Sequence, residues 1–225
     1  MLNLRVFNLV TWGIREDDFN KFWKNIYFML LNKYIKGVFM ATMATRNKGQ
    51  KLMDFPDNYT VIDIETTGLS ASKNEIIELS ALKIRNNEIF DSYTTLVKPL
   101  SRIGGFITKL TGISNEMVED APLIEEILEE YLNFIGDDIV VGHNVNFDIN
   151  FIYDKSVKCY DREFRNDFVD TCTMSRKYCP TRSHKLDYVA EYYKVDATGH
   201  HRADNDCRMT YGIYNAMKKQ VQSEV

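Results

Sequence analysis

The amino-acid sequence predicts an α/β domain whose mixed, five-stranded sheet is flanked by helices. Three segments rich in β-forming residues follow one another between residues 59 and 99, separated by short turns, as in a set of antiparallel strands. After residue 120, short apolar segments alternate with stretches of helical periodicity, which is typical of parallel strands joined by helices. The chain of 225 residues is long enough for one such domain and an appendage.

The composition excludes several other classes of protein. With 44% hydrophobic and 27% charged residues, the chain is neither of low complexity nor wholly disordered. The net charge of −4 argues against a protein that coats long nucleic acid, although it allows one that grips a few nucleotides. The four cysteines show no zinc-ribbon spacing, which predicts reduced thiols and a cytoplasmic location.

Residues 1–55 are predicted to form an N-terminal helical extension and a linker. Apolar side chains recur at helical spacing between Phe19 and Leu31, and Asp17 or Asp18 can cap that helix. The segment ATRNKGQK that follows has the composition of a linker. We expect the helix to dock on the core of the domain or on a partner protein.

The same N-terminal segment is not predicted to cross a membrane. Lys33 and Lys36 interrupt its apolar run, which is too short and too charged for a membrane span, and we find no signal peptide. A natural start of translation at Met40 or Met43 is the alternative explanation of this segment.

Residues 56–220 are predicted to form the α/β domain, which opens with three strands. The first strand runs from Tyr59 to Thr66 and the second from Glu75 to Ile84. The polar segment NNE at 86–88 turns the chain into the third strand, which ends before Pro99.

Helices and strands alternate in the rest of the domain. Asp120 and Pro122 predict the start of a long helix, and Gly136 predicts its end. Short strands are predicted in DIVVGHN (138–144) and in DFVDTCTM (167–174). The remaining helices are predicted from FDINFIYDK (147–155) and at 185–194 and 203–219.

The first predicted strand contains two carboxylates, Asp63 and Glu65, in an otherwise apolar run. Residues i and i+2 of a strand face the same side of the sheet, so these carboxylates lie side by side. They repel each other unless a cation lies between them, and oxygen ligands select a hard ion such as Mg²⁺ or Mn²⁺. A pair of acids at an exposed sheet edge is the alternative, which the β-forming neighbours Val61, Ile62 and Ile64 disfavour.

Two later segments add two acids and a histidine. GHNVNFDINF places Asp148 at the start of a helix, where an aspartate often serves only as a cap. GHHRADNDC places His201 and Asp206 five residues apart at the junction of a loop and a helix. Taken singly, the histidine is more often structural and the aspartate is more often solvated.

Five residues together resemble the four acids and one histidine of the DEDDh 3′–5′ exonucleases: Asp63, Glu65, Asp148, His201 and Asp206. DIETTGL, GHNVNFD and HRADND are similar to the three motifs of that family, and LTGI at 110–113 is similar to a further short element. The resemblance spans residues 57–219, and within the family it is strongest to the proofreading (epsilon) subunits of bacterial replicative DNA polymerases. It implies an RNase H-like fold and release of nucleoside monophosphates from a 3′ end.

The resemblance also implies a role for each of the five residues. Two divalent cations, Mg²⁺ or Mn²⁺, about 4 Å apart can activate water and stabilise a departing 3′-oxygen. By resemblance, Asp63 bridges both ions, Glu65 and Asp206 complete the first site, and Asp148 holds the second ion directly or through water. His201 would take the proton of the attacking water, since the usual histidine pKa of about 6.5 suits a base near neutral pH.

The neighbouring His200 makes the register of the last motif important. In the family, four residues separate the histidine from the last aspartate, and this spacing selects His201 as the partner of Asp206. The Arg202-Ala203 that follows His201 agrees with the HRA of the family. Asp204 replaces an apolar residue that is common in the family, and we interpret it as a solvated or capping acid.

A pocket for the 3′ nucleotide is expected beside the acids, because small residues after the first strand let a nucleotide backbone approach. The substrate-binding candidates are Ile64, Thr66, Thr67, Gly68, Leu69, Ile113, Asn144 and Phe147. Leu69 and Ile113 would wedge against the terminal bases, and Asn144 and Phe147 would line the pocket by resemblance. Ordinary core packing is the alternative for Leu69 and Phe147.

Charge is distributed unevenly along the domain. Residues 115–138 contain nine acids and no Lys or Arg, so that surface is expected to avoid nucleic acid. Residues 158–185 contain seven basic residues and four acids, which predicts a track for backbone phosphates. A mixed, solvated surface is the alternative for this second stretch.

We therefore expect a metal-dependent 3′–5′ exonuclease that acts on single-stranded ends, with DNA favoured over RNA. An RNA 3′-end-trimming exoribonuclease is the first alternative, because RNA-trimming relatives have the same five residues. A non-catalytic module that binds nucleic acid or a polymerase is the second, which the presence of all five residues disfavours. The tail KKQVQSEV is short, which predicts a free-standing enzyme or one recruited to a protein partner through residues 1–50.

Overall fold

In the computed structural model, which describes residues 46–223, the sheet has six strands rather than the five predicted. They are β1 (Lys51–Leu52), β2 (Tyr59–Thr66), β3 (Ile76–Arg85), β4 (Glu88–Leu96), β5 (Val140–Gly142) and β6 (Phe168–Asp170). Their order across the sheet is β1-β6-β5-β2-β3-β4. Strands β2, β3 and β4 are antiparallel neighbours, whereas the pairs β2–β5, β5–β6 and β6–β1 are parallel, so the sheet is mixed as predicted.

Helices cover both faces of the sheet. They are α1 (Gly105–Thr111), α2 (Ile124–Ile135), α3 (Asn146–Tyr160), α4 (Thr171–Tyr178), α5 (Leu186–Tyr193) and α6 (Ala203–Ser223). Within residues 46–223, none of them is both long and apolar enough to cross a lipid bilayer.

The side chains of β2 alternate between two apolar cores, as the period of two in a strand requires. Ile62 and Ile64 pack with residues of α2 and α3 on one face. Tyr59 and Val61 pack with residues of α4, α5 and α6 on the other face. Strand β2 is therefore buried on both sides, which fixes the direction of every side chain that it carries.

Helix α2 begins four residues after the predicted cap at Asp120. The Glu126 side chain accepts a 2.7 Å hydrogen bond from the backbone N–H of Leu123, so a residue of the first turn satisfies the helix start instead. Gly136, at φ 61°, ends the helix as predicted. The buried stripe of this helix consists of Ile127, Leu128, Tyr131, Leu132 and Ile135.

The strand predicted at 167–174 is a strand only in its first half. The Asp170 carboxylate accepts hydrogen bonds from the backbone N–H of Cys172 at 3.1 Å and from the hydroxyl of Thr173 at 2.7 Å. An aspartate in this position satisfies N–H groups that a helix start leaves unpaired, so α4 begins at Thr171.

Residues 46–52 belong to the folded domain, and the prediction of a linker was wrong for them. The Arg46 guanidinium donates two 2.7 Å hydrogen bonds to the Asp154 carboxylate, and Lys48 Nζ donates to Asn150 Oδ1 at 3.0 Å. Strand β1 then pairs with β6 and is the sixth strand of the sheet. The prediction failed because a polar segment that makes specific contacts has the same composition as a flexible linker. The helix predicted at Phe19–Leu31 lies outside the described residues.

Gly49 offers a test of how closely this segment is held. A Cβ atom at Gly49 would lie 2.2 Å from the backbone oxygen of Asn166, far inside contact distance. We expect Gly49→Ala to lower the free energy of unfolding by about 1–3 kcal/mol, the usual cost of overpacking. Gly104→Ala is the matched control, because a Cβ there meets no atom within 4 Å. Chemical denaturation measures both variants, and equal midpoints would contradict a tightly held segment.

Candidate active site

Three elements bring carboxylates to one point beside the end of β2. Asp63 and Glu65 share the strand face of Tyr59 and Val61, which α6 covers, so both carboxylates face the first turn of α6. Asp206 lies in that turn. One carboxylate oxygen from each of Asp63, Glu65 and Asp206 lies within 4.8 Å of the other two.

Asp148 joins these acids from α3. Strand β5 pairs with β2 only at Thr60 and Val61, which leaves the far end of β2 open on that side. There Asp148 Oδ1 accepts a 3.1 Å hydrogen bond from the backbone N–H of Ile64, and the aspartate is only 4% exposed. Asp148 is the third residue of α3. Its carboxylate is the fourth of the cluster, and its charge helps to raise the pKa of Asp63.

The crowding of the acids shifts their protonation. Removal from water, and then the charges of Asp148, Asp206 and Glu65, raise the pKa of Asp63 well above its usual value. Burial and the charge of Asp206 raise the pKa of Glu65 to about 8. Burial also raises the pKa of Asp148. A divalent cation would relieve this repulsion, and a donor set made only of carboxylate oxygens fits a hard ion such as Mg²⁺ or Mn²⁺.

Two adjacent histidines, His200 and His201, lie beside Asp206, and the ring of His200 contacts the Asp206 carboxylate. His200 Nδ1 lies 2.7 Å from Asp206 Oδ1, and the backbone N–H of His201 donates to the same oxygen at 3.3 Å. The two imidazole rings stack with their centroids 3.8 Å apart. Spacing in the sequence selected His201 and did not predict the contact of His200, for which adjacency to His201 was the only signal. Asp204 forms an ion pair with Arg208 at 2.9 Å.

The environments of the two histidines push their pKa values apart. The hydrogen bond to Asp206 raises the pKa of His200. Burial, followed by the neighbouring His200, lowers the pKa of His201. Near neutral pH, His201 therefore favours the neutral form, which has a ring nitrogen free to take a proton, whereas His200 more readily keeps its proton.

A groove of about 940 Å³ opens beside both histidines. Leu69, Asn144 and Phe147, which are three of the residues predicted to bind substrate, line this groove. Leu69 is 89% exposed, which rules out core packing for its side chain. Phe147 is half-buried and packs against Phe151, with ring centroids 5.0 Å apart, so it both supports the core and faces the groove. The basic residues that line the same groove are Arg176, Arg182 and Lys185.

The turn after β2 is closed by its own small residues. The Thr66 hydroxyl donates a hydrogen bond to the backbone oxygen of Gly68 at 2.7 Å. The backbone N–H of Thr67 donates to the backbone oxygen of Glu75 at 2.8 Å. A Cβ at Gly68 would lie 2.7 Å from the end of the Asn74 side chain, which would have to move to accommodate it. This tight turn holds Leu69 out at the groove.

Ile113 does not take part in the groove, contrary to its predicted role as a wedge against the terminal bases. Its side chain is fully buried and packs with Ile77, Ile103 and Val118 in a separate apolar cluster. Asn144 differs in that it is exposed, and its left-handed backbone, at φ 61°, is held by a hydrogen bond from its N–H to Asp170 Oδ1 at 2.8 Å.

Comparison with known proteins identifies the family to which this chain belongs and the fold that it shares with solved structures. A family model described as an exonuclease, RNase T, matches residues 60–214. The chain is 43% identical over 175 residues to the DNA polymerase III PolC-type of Caldanaerobacter subterraneus subsp. tengcongensis, which covers 77% of this chain and 12% of that protein. It is 38% identical over 175 residues to the DNA polymerase III subunit epsilon of Aquifex aeolicus, which covers 76% of this chain and 87% of that protein. The chain thus spans only a small part of its PolC-type relatives.

Two solved structures share the architecture. Exonuclease X in complex with 5′ overhanging duplex DNA superposes with a TM-score of 0.60 at 24% identity, over 72% of this chain and 93% of that one. E. coli exonuclease I in complex with a dT13 oligonucleotide gives a TM-score of 0.64 at 12% identity, over 75% of this chain and 43% of that one. At these identities the likeness shows the fold, which is RNase H-like as predicted. The match of the family model over more than half of the chain, with the epsilon-subunit relative, shows that this chain belongs to the RNase T exonuclease family.

Proposed function

We propose that this chain removes nucleotides one at a time from the 3′ end of single-stranded nucleic acid, with DNA preferred over RNA. The observation that carries this proposal is the convergence of four carboxylates and a histidine beside a groove with a basic lining. The relatives named as DNA polymerase III support DNA as the substrate and trimming of the proofreading or repair type. A protein partner bound through residues 1–50 and a cytoplasmic location stay predictions from the sequence.

The acids suit two divalent cations, Mg²⁺ or Mn²⁺. Asp63, Glu65 and Asp206 would hold one ion, and Asp63 with Asp148 would hold the other. When bound, such ions supply an activated water and stabilise the charge on a departing 3′-oxygen. The protein fixes the four carboxylates in place beforehand, through the strand geometry of β2, the bond from Ile64 to Asp148 and the bond from His200 to Asp206.

His201 is proposed to accept the proton of the attacking water. Its ring lines the groove, and within residues 46–223 neither of its ring nitrogens makes a hydrogen bond. His200 Nδ1 already makes a hydrogen bond with Asp206, so the role that we assign to His200 is to orient that carboxylate.

The groove would hold the last nucleotides of the strand. Leu69 and Phe147 present apolar surface that suits the terminal bases, and Asn144 presents an exposed amide. Arg176, Arg182 and Lys185 present the positive charge that backbone phosphates require.

Loss of the His201 side chain should remove most of the activity. We expect His201→Ala to lower kcat about 10²–10⁴-fold, the usual contribution of a general base, and His200→Ala to cost less because it acts through Asp206. The assay follows 5′-labelled single-stranded DNA and RNA of one sequence with Mg²⁺, Mn²⁺ or EDTA. A metal-dependent ladder from the 3′ end supports the proposal, and the faster ladder identifies the preferred sugar. Binding without any shortening by folded wild-type protein would identify a binding module instead.

Without a divalent cation, the acid cluster should make the domain less stable as the pH rises. Between the ordinary glutamate pKa of about 4.3 and the Glu65 pKa of about 8, the folded protein keeps a proton that the unfolded chain has released. Raising the pH through this window therefore lowers the free energy of unfolding. Mg²⁺ or Mn²⁺ should raise Tm, and should raise it more near the upper end of the window. Glu65→Gln should flatten the pH dependence, whereas a Tm that ignores the metal at every pH would contradict a cation site.

Arg176 and Lys177 are adjacent in α4, but only Arg176 lines the groove, while Lys177 lies over the ring of Tyr178. We expect Arg176→Gln to raise KM several-fold and to reduce the slope of log(kcat/KM) against log salt by about 0.7, the value for one phosphate contact on a single strand. Lys177→Gln is the matched control and should leave both quantities unchanged. Equal effects of the two substitutions would show that charge in general, rather than the groove, attracts the substrate.

A further inference from the structure

Strand β3 repeats the anomaly of β2, because it carries an acid in an apolar run. Glu78 stands between the buried residues Ile77 and Leu79, lies directly opposite Glu65 in the strand pairing, and is 1% exposed. A buried carboxylate is costly unless it is paired and hydrogen-bonded. Its partner is therefore the key to why the chain keeps an acid there.

That partner is the segment that follows His201. Arg202 Nη2 donates to Glu78 Oε1 at 2.6 Å and Arg202 Nε donates to Oε2 at 3.1 Å, so the guanidinium grips the carboxylate with two parallel bonds. The backbone N–H of Ala203 donates to Oε2 at 3.0 Å. Glu78 thus supplies a capping carboxylate to the first residue of α6 from a different element of the fold.

The backbone that Glu78 holds is in an unfavourable conformation. His201 has φ 70°, in the left-handed region that residues other than glycine rarely adopt. Such a conformation persists only where the surroundings determine it. On one side the His201 N–H is bonded to Asp206, and on the other side Arg202 and Ala203 are both bonded to Glu78.

We propose that Glu78 is a positioning residue of the exonuclease site. Through Arg202 and Ala203 it fixes the start of α6, and so it sets where His201 and Asp206 stand relative to the carboxylates of β2. The inference rests on the proposed function for its catalytic consequence, while its geometric consequence concerns the acid cluster alone. Glu78 itself touches no substrate, because its carboxylate is buried beneath the guanidinium of Arg202, whose side chain is 39% exposed.

Two conservative substitutions in the full chain test the proposal. Glu78→Gln keeps the shape of the side chain and removes its charge, and Arg202→Lys keeps the charge and removes the two-bond grip. We expect each to lower kcat about 10–100-fold with KM nearly unchanged, and to weaken Mn²⁺ binding, measured by calorimetry without substrate, by about 10-fold. The double variant should be no worse than the more damaged single variant, because the two side chains act as one unit.

Glu75→Gln is the matched control. The Glu75 carboxylate also accepts backbone hydrogen bonds, but from the N–H groups of Leu100 and Ser101 rather than from the start of α6. The hydrogen bond from Thr67 goes to the Glu75 backbone oxygen, which the substitution keeps. We expect the substitution to leave kcat and Mn²⁺ affinity at the wild-type values. Thermal denaturation identifies the variants that fold, and Arg202→Lys decides the matter if Glu78→Gln does not fold.

A purely structural role predicts a different result. If the folded variants lose thermal stability but keep the wild-type kcat and Mn²⁺ affinity, the proposal is overturned. If the wild-type chain shows no exonuclease activity, the proposed function fails, while the Mn²⁺ affinity still reports on positioning. In that case weaker binding by Glu78→Gln and Arg202→Lys supports the inference, and unchanged binding refutes it.

Discussion

Electrostatic repulsion among Asp63, Glu65, Asp148 and Asp206 is the constraint around which this domain is arranged. Four carboxylates that are largely removed from water would separate if their backbones were free to move. Burial, followed by the charges of neighbouring acids, raises the pKa values of Asp63, Glu65 and Asp148, which shows the cost of keeping them charged together. Every acid is therefore anchored by an element whose position is determined elsewhere in the fold.

The anchors differ in kind, but each converts packing into the position of a side chain. Strand β2 is buried on both faces, so its alternation leaves Asp63 and Glu65 only one direction in which to point. Asp148 is held by the N–H of Ile64 where the pairing with β5 has stopped. Asp206 is held by His200 and by the turn that Glu78 secures from β3. Loss of the rigid sheet would release all of these contacts at once.

The exposed acids of α2 and the basic lining of the groove lie on different faces of the sheet. The exposed acids of α2, Glu125, Glu129 and Glu130, lie over the face of the sheet that carries Ile62 and Ile64. The basic residues Arg176 and Lys185 belong to the other face and line the groove beside the histidines.

The sequence by itself determined the fold class, the limits of β2 and the identity of the four acids. These follow from local regularities: the period of two in a strand, a helix stripe such as that of α2, and carboxylates placed where an apolar residue is expected. It also showed that a histidine stands five residues before Asp206. Local patterns were less informative where a cap or a short strand decided the outcome, as at Asp170 and at β1.

Only the tertiary structure decided which side chains meet. Contacts between distant residues, such as Glu78 with Arg202 or Arg46 with Asp154, leave no periodic trace in the chain, because each partner looks like an ordinary charged residue in its own segment. The same holds for the burial of Ile113, the exposure of Leu69 and the choice of His200 as the partner of Asp206. These depend on how separate elements pack in three dimensions, whereas the acids of β2 were visible because a strand imposes its geometry on neighbouring residues.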